Sequence, residues 1–72
     1  MAKLPEMTGF ELVRKLRKMG FSLEREHGSH AILRKGDKVV IVPMHHRDLG
    51  KGILESIIKH ELGMSVQEFI SN

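Results

Sequence analysis

The chain has no cysteine, so no disulfide can brace it and no thiolate can serve as nucleophile or metal ligand. That absence fits a reducing compartment. Tryptophan and tyrosine are also missing, and the three phenylalanines, Phe10, Phe21 and Phe69, stand where a core would want them. Proteins that grip single strands by stacking use aromatic side chains. The composition therefore argues against a stacking platform and leaves charge and backbone as the means of any contact with nucleic acid. The longest apolar stretch, Val39-Val40-Ile41-Val42, is far short of the roughly 20 residues that a membrane span needs. No charged segment followed by an apolar one opens the chain, so the expected location is the cytoplasm, with no membrane partner. Acidic residues are in the minority, nine against twelve Lys and Arg, for a net charge of +3. This balance leans toward an anionic partner, because a cation near a phosphate releases condensed counterions. A modest excess of lysine also serves solubility. At 72 residues the chain reads as one domain spanning 1–72, near the lower size limit for a fold held by its core alone.

Within it, Thr8 and Glu11 have capping-box spacing, and Phe10, Leu12, Val13, Leu16 and Met19 recur as one stripe of a helix over about 9–19. Arg14, Lys15, Arg17 and Lys18 fall on its other face. Gly20 supplies the left-handed residue that ends it, with Phe21 folding back. From Phe21 to His27 the pattern alternates, placing Phe21, Leu23, Arg25 and His27 on one side and Ser22, Glu24 and Glu26 on the other. Gly28-Ser29 and Gly36-Asp37 are turn signals that bound a second strand, His30 to Lys35, and a third, Lys38 to Pro43. A polar loop with His45 and His46 follows. Helical spacing of Leu49, Ile53, Leu54, Ile57, Ile58 and Leu62 then predicts a helix over about 50–62, stopped by Gly63. Gly50 and Gly52 in its first turn point to close backbone approach or to a start nearer Ile53. Ser65 and Glu68 repeat the capping box before a short last helix in which Val66, Phe69 and Ile70 pack back. The expected fold is α+β, in the order α-β-β-β-α with a C-terminal helical turn. Both long helices cover one face of a three-stranded antiparallel meander and leave the other face open.

Five histidines are the chemical resource of the chain. His30 opens the second strand, and with Ala31 and Leu33 facing the helices it points to the open face, together with Ile32. An imidazole has an ordinary pKa near 6.5, so it takes and gives protons at neutral pH. RNA cleavage needs that capacity, as a base for the 2′-hydroxyl or an acid for the leaving 5′-oxygen. An ordinary exposed histidine at a hairpin is the competing reading. For a metal the histidines are poorly placed: His27 and His30 flank a turn and alternate poorly onto one face, His45 and His46 point apart, and His60 stands alone on a helix. Ser29 precedes His30 directly, so the two side chains diverge and a nucleophilic serine is not expected. Gly50-Lys51-Gly52 lacks the spacing of a phosphate-binding loop. The helix cations together with Arg25, Arg34, Lys35 and Lys38 offer one continuous basic patch, or simply solvated faces.

These signals in this order resemble the HicA toxins, the small RNA-cleaving partners of HicB antitoxins. The carrying residues are Gly9-x-Glu11-Leu12, Gly20-Phe21, Gly28-Ser29-His30, Val42-Pro43-x-His45 and Leu49-x-x-Gly52-x-Leu54-x-x-Ile57, spread from about Thr8 to Phe69. The resemblance implies a fold similar to the double-stranded-RNA-binding domain and metal-independent mRNA cleavage without a cofactor. It places the catalytic histidine at His30, with Gly28 and Ser29 shaping the turn beside it. His45 matches the histidine of the Pro-x-His element, supporting either the site or the structure. Backbone N–H groups near Gly28 and cations such as Arg25, Arg34 or Lys38 would hold the phosphate. The implied partners are mRNA and a HicB-like antitoxin, as a homodimer or a hetero-oligomer with the antitoxin. A non-catalytic RNA-binding or antitoxin-docking module of the same fold is the alternative. The chain departs from the family in its charged His46-Arg47-Asp48 loop and in a second helix one residue longer before Gly63 than in many relatives.

Overall fold

In the computed structural model, which describes residues 4–44 and 46–72, Thr8 caps a helix, α1, over Gly9–Lys18. Its hydroxyl accepts the Glu11 N–H at 3.2 Å while the Glu11 carboxylate accepts the Thr8 N–H at 2.9 Å, so two otherwise orphaned donors satisfy each other's residues. At the other end Gly20, at φ +103°, lets the Phe21 N–H turn back to the Leu16 carbonyl at 3.0 Å. Three strands follow: β1 (Ser22–His27), β2 (His30–Lys35) and β3 (Lys38–Pro43), antiparallel in the order β1-β2-β3. A second helix, α2 (Lys51–Ser56), runs into a wider π-helical turn over Ile57–Glu61, and a short α3 (Val66–Ser71) closes the chain. No described helix is long and apolar enough to cross a membrane.

Period-two alternation decides which side of the sheet is dry. Ala31, Leu33, Val40 and Val42 are completely buried beneath Leu12 and Leu16 of α1 and Leu54, Ile57 and Ile58 of the second helix. Their neighbours Ile32, Arg34, Val39 and Ile41 face the other way. The helices thus share one face, as the pattern predicts, and the other face is open. Phe69 of α3 is fully buried, with the Lys15 ammonium 4.8 Å over its ring. Ile70, expected to pack back with it, keeps 38% of its surface exposed.

Four local expectations fail for identifiable reasons. Strict alternation in β1 is broken by a bulge: Leu23 pairs with Leu33, but Arg25 pairs with Ile32, so two residues oppose one across the Glu24 position. Leu23 and Arg25 therefore lie on opposite faces. Phe10 is not core but half exposed, its ring stacked on that of His46 at 5.8 Å. Its neighbour Gly9 is buried instead, and a Cβ there would run into the Pro43 carbonyl oxygen. Close approach in the second helix does not explain Gly52, around which a Cβ would meet nothing, and Gly50 lies outside the helix as its N-cap at φ +86°. The apolar Ile53 faces outward, half exposed.

The π-helical turn has a consequence for the sheet. Leu62 N–H bonds the Ile57 carbonyl five residues back at 2.9 Å. Such a turn holds one residue more than an α-helical turn. It also places Glu61 alongside β3, where its carboxylate accepts the Ile41 N–H at 3.0 Å. One outward N–H of β3 is thereby satisfied. The outer margin of β1 is open, bent at the bulge and lined by Glu24, Arg25 and Glu26.

Candidate active site on the open face of the sheet

His30 stands exposed at the start of β2, opposite Pro43 on β3 and opposite His27 on β1. Directly opposed residues in an antiparallel pair send their side chains to the same face, with Cβ atoms about 4.5–5.5 Å apart. His27 and His30 are therefore neighbours on the open face. This corrects the expectation that they alternate poorly onto one face: a two-residue turn at Gly28-Ser29 forces residues 27 and 30 into register. Gly28, at φ +62°, supplies the backbone conformation the turn requires, and nothing lies near the place of its missing Cβ. The turn is tied down from the far side, because the Ser29 carbonyl accepts the Met44 N–H at 2.6 Å.

Beside His30 lies a shallow, open groove of about 380 Å³. Its floor is Ile41 and Pro43 of β3, and its far wall is Gly52, Ile53, Ser56 and Glu61 of the second helix. The helix leans past the edge of β3, so the groove runs between sheet and helix with His30 at its mouth. The order across the face is His27, His30, Pro43, then helix. Ser56 offers a hydroxyl, Gly52 an unobstructed backbone, and Ile41 and Ile53 an apolar surface that are both about half exposed.

The other residues singled out from sequence scatter. Arg25 is on the same face as His30, two residues along β1 from His27 and beside Ile32. Arg34 shares the face but sits four residues along β2, about 13 Å away at the usual rise, and its Nε bonds the Glu24 carboxylate at 2.8 Å. Lys38 is not brought to the site. It lies at the opposite end of the sheet, paired with Lys35, and its ammonium bonds the Leu62 carbonyl at 2.9 Å. Its role is to satisfy the end of a helix. Lys35 does the same for the Met19 carbonyl at 2.7 Å. The continuous basic patch also dissolves, because Arg14, Arg17 and Lys18 project from the outer side of α1 while Arg25 projects from the open face of the sheet. His45 lies outside the described residues. Among the described residues no three His, Asp or Glu side chains gather as a metal-ligand set.

The groove wall was not foreseen. Gly52, Ile53 and Ser56 carry no motif that separates them from an ordinary helix face, and only the tertiary lean of that helix brings them opposite His30. His27 was foreseeable from the length of the turn.

Residues 9–62 match the family model described as the HicA toxin of bacterial toxin–antitoxin systems. The chain belongs to the HicA toxin family. It is therefore a toxin of the toxin–antitoxin kind, from a family whose members are generally mRNA-cleaving endoribonucleases and whose partner is HicB. The matched span begins at the buried Gly9, includes Gly28-Ser29-His30 and all three strands, and ends at Leu62, one residue past the π-helical turn. A comparison with curated proteins returned no match.

Proposed function

We propose that this HicA chain is a metal-independent endoribonuclease in which His30 transfers a proton at the scissile phosphate of an mRNA. The observation that carries the reading is the placement of His30, solvent-exposed on the open face, beside a groove and at a turn with free space around Gly28. A polynucleotide can reach an imidazole on so accessible a surface without the protein opening. Among the cations, Arg25 is the one best sited to attract the phosphate. Proton transfer by one positioned side chain is worth about 10²–10⁴-fold in rate.

The antitoxin belongs to the same proposal. Ile32, Ile41, Val39 and Ile53 give this face an apolar character that an RNA backbone does not need. A HicB-like partner covering these side chains would occlude His30 and inhibit by exclusion.

The test is cleavage of a labelled single-stranded mRNA by wild type and His30→Ala, both in EDTA. Wild type is expected to cut and the variant to lose at least about 10²-fold in rate while still binding RNA. Binding by both proteins without cleavage by either would replace the enzyme with a binding module of the same fold.

A further inference from the structure

A single imidazole leaves half of the reaction unassisted. When the 2′-oxygen attacks phosphorus, a proton must leave that oxygen, and another must reach the 5′-oxygen as its bond to phosphorus breaks. The two oxygens lie on opposite sides of the phosphorus, so one side chain cannot serve both at once. The described structure holds a second imidazole in the right neighbourhood. His27 is the cross-strand partner of His30, exposed like it and on the same face, with the two Cβ atoms about 4.5–5.5 Å apart. The Gly28-Ser29 turn fixes this pairing, and the Ser29–Met44 hydrogen bond anchors the turn.

We infer that His27 is the second proton-transfer residue of the site, working with His30 as a base-and-acid pair across the β1–β2 hairpin. This rests on the ribonuclease reading above. In the step, one neutral imidazole takes the proton of the 2′-hydroxyl as the O2′–P bond forms. The other, protonated, gives its proton to O5′ as the P–O5′ bond breaks. The products are a 2′,3′-cyclic phosphate and a 5′-hydroxyl, and the two rings end with their protonation exchanged, to be reset by water. No oxidant, metal or cofactor is consumed. The charged groups around the pair are Arg25 two residues along β1, the Arg34–Glu24 ion pair further along the sheet, and Glu61 across the groove. Arg25 would bear on the phosphate rather than on either ring.

The experiment measures cleavage by wild type, His27→Gln and His27→Asn from pH 5 to 9, on an ordinary RNA and on one with a 5′-bridging sulfur at the cut site. Sulfur leaves without a proton, so that substrate removes the need for the acid. Wild type is expected to show a bell-shaped profile and cyclic-phosphate ends. Both His27 variants should lose about 10²-fold or more on ordinary RNA and one limb of the bell, with thermal unfolding unchanged. The sulfur substrate should restore the rate of either the His27 variants or His30→Ala, and the pair restored identifies the acid. If the His27 variants cut at the wild-type rate with the wild-type profile, the inference is overturned and the ribonuclease reading stands. A slower rate with an intact bell and no sulfur rescue also overturns it, leaving His27 a binding or positioning role. Wild type that cuts neither substrate removes the ribonuclease reading, and this inference with it.

Discussion

Glycine is usually explained by the backbone it permits, but Gly9 is there for the side chain it omits. It is the first residue of α1, where alanine gains at most the roughly 1 kcal/mol of helix propensity that applies to a helix interior. Against that gain, its missing Cβ would occupy the place of the Pro43 carbonyl oxygen. A backbone carbonyl cannot swing aside as a side chain tip can, and overpacking of this kind costs about 1–3 kcal/mol. We expect Gly9→Ala to lower the urea midpoint, and a raised midpoint would show that β3 can retreat. The strain would arise beside the proposed site, since Pro43 stands opposite His30. At this scale the sequence was only partly legible. The turn at Gly28 and the strand start at His30 could be placed because both are local. Lys38 could not be placed, because what captures its ammonium is a carbonyl 24 residues away.

Among the elements, the caps were the most readable and behave as local chemistry should. In α3 the Ser65 N–H bonds the Glu68 carboxylate at 3.0 Å, and the Glu68 N–H bonds the Ser65 hydroxyl at 3.1 Å. The Ser65 backbone N–H, then its side chain, hold the Glu68 carboxyl below its usual 4.5. A carboxyl whose pKa is lower folded than unfolded favours the folded state above its unfolded pKa, and that contribution is lost as pH falls through the folded value. Glu68→Gln keeps the shape of the box and removes the charge. The variant should be less stable than wild type at neutral pH, and the difference in denaturant midpoint should vanish in acid. A difference that persists in acid would assign the effect to shape instead. The strand β1 and the second helix were less readable. A bulge adds a residue without a signature in an alternating run, and a π-helical turn looks in sequence like a helix one residue too long. Both devices nevertheless govern the site: the bulge turns Arg25 to the open face, and the wide turn carries Glu61 to the edge of β3.

For the molecule as a whole, layering decides what charge can do. With the helices on one side and the open face on the other, the α1 cations Arg14, Arg17 and Lys18 and the sheet cation Arg25 look in opposite directions. A net charge of +3 is thus less informative than where each cation sits. If RNA binds at the open face, Arg25→Ala should reduce the slope of affinity against salt by about one unit, whereas Arg17→Ala should leave it nearly unchanged. The reverse result would move the RNA to the outside of α1. The fold itself, α-β-β-β-α with a final helix, was legible because the alternation of β2 and β3 and the stripe of α1 are strong, and they fix both layers. The groove was not, because it depends on how far one helix leans. The sheet's two margins carry a last consequence. A short sheet is normally a template on which a second chain can crystallise strand by strand. Here one margin is kinked and lined with charge, and on the other Glu61 bonds the outward N–H of Ile41. Both edges are therefore poorer templates for strand-by-strand pairing between copies of the toxin than a flat, unpaired edge would be.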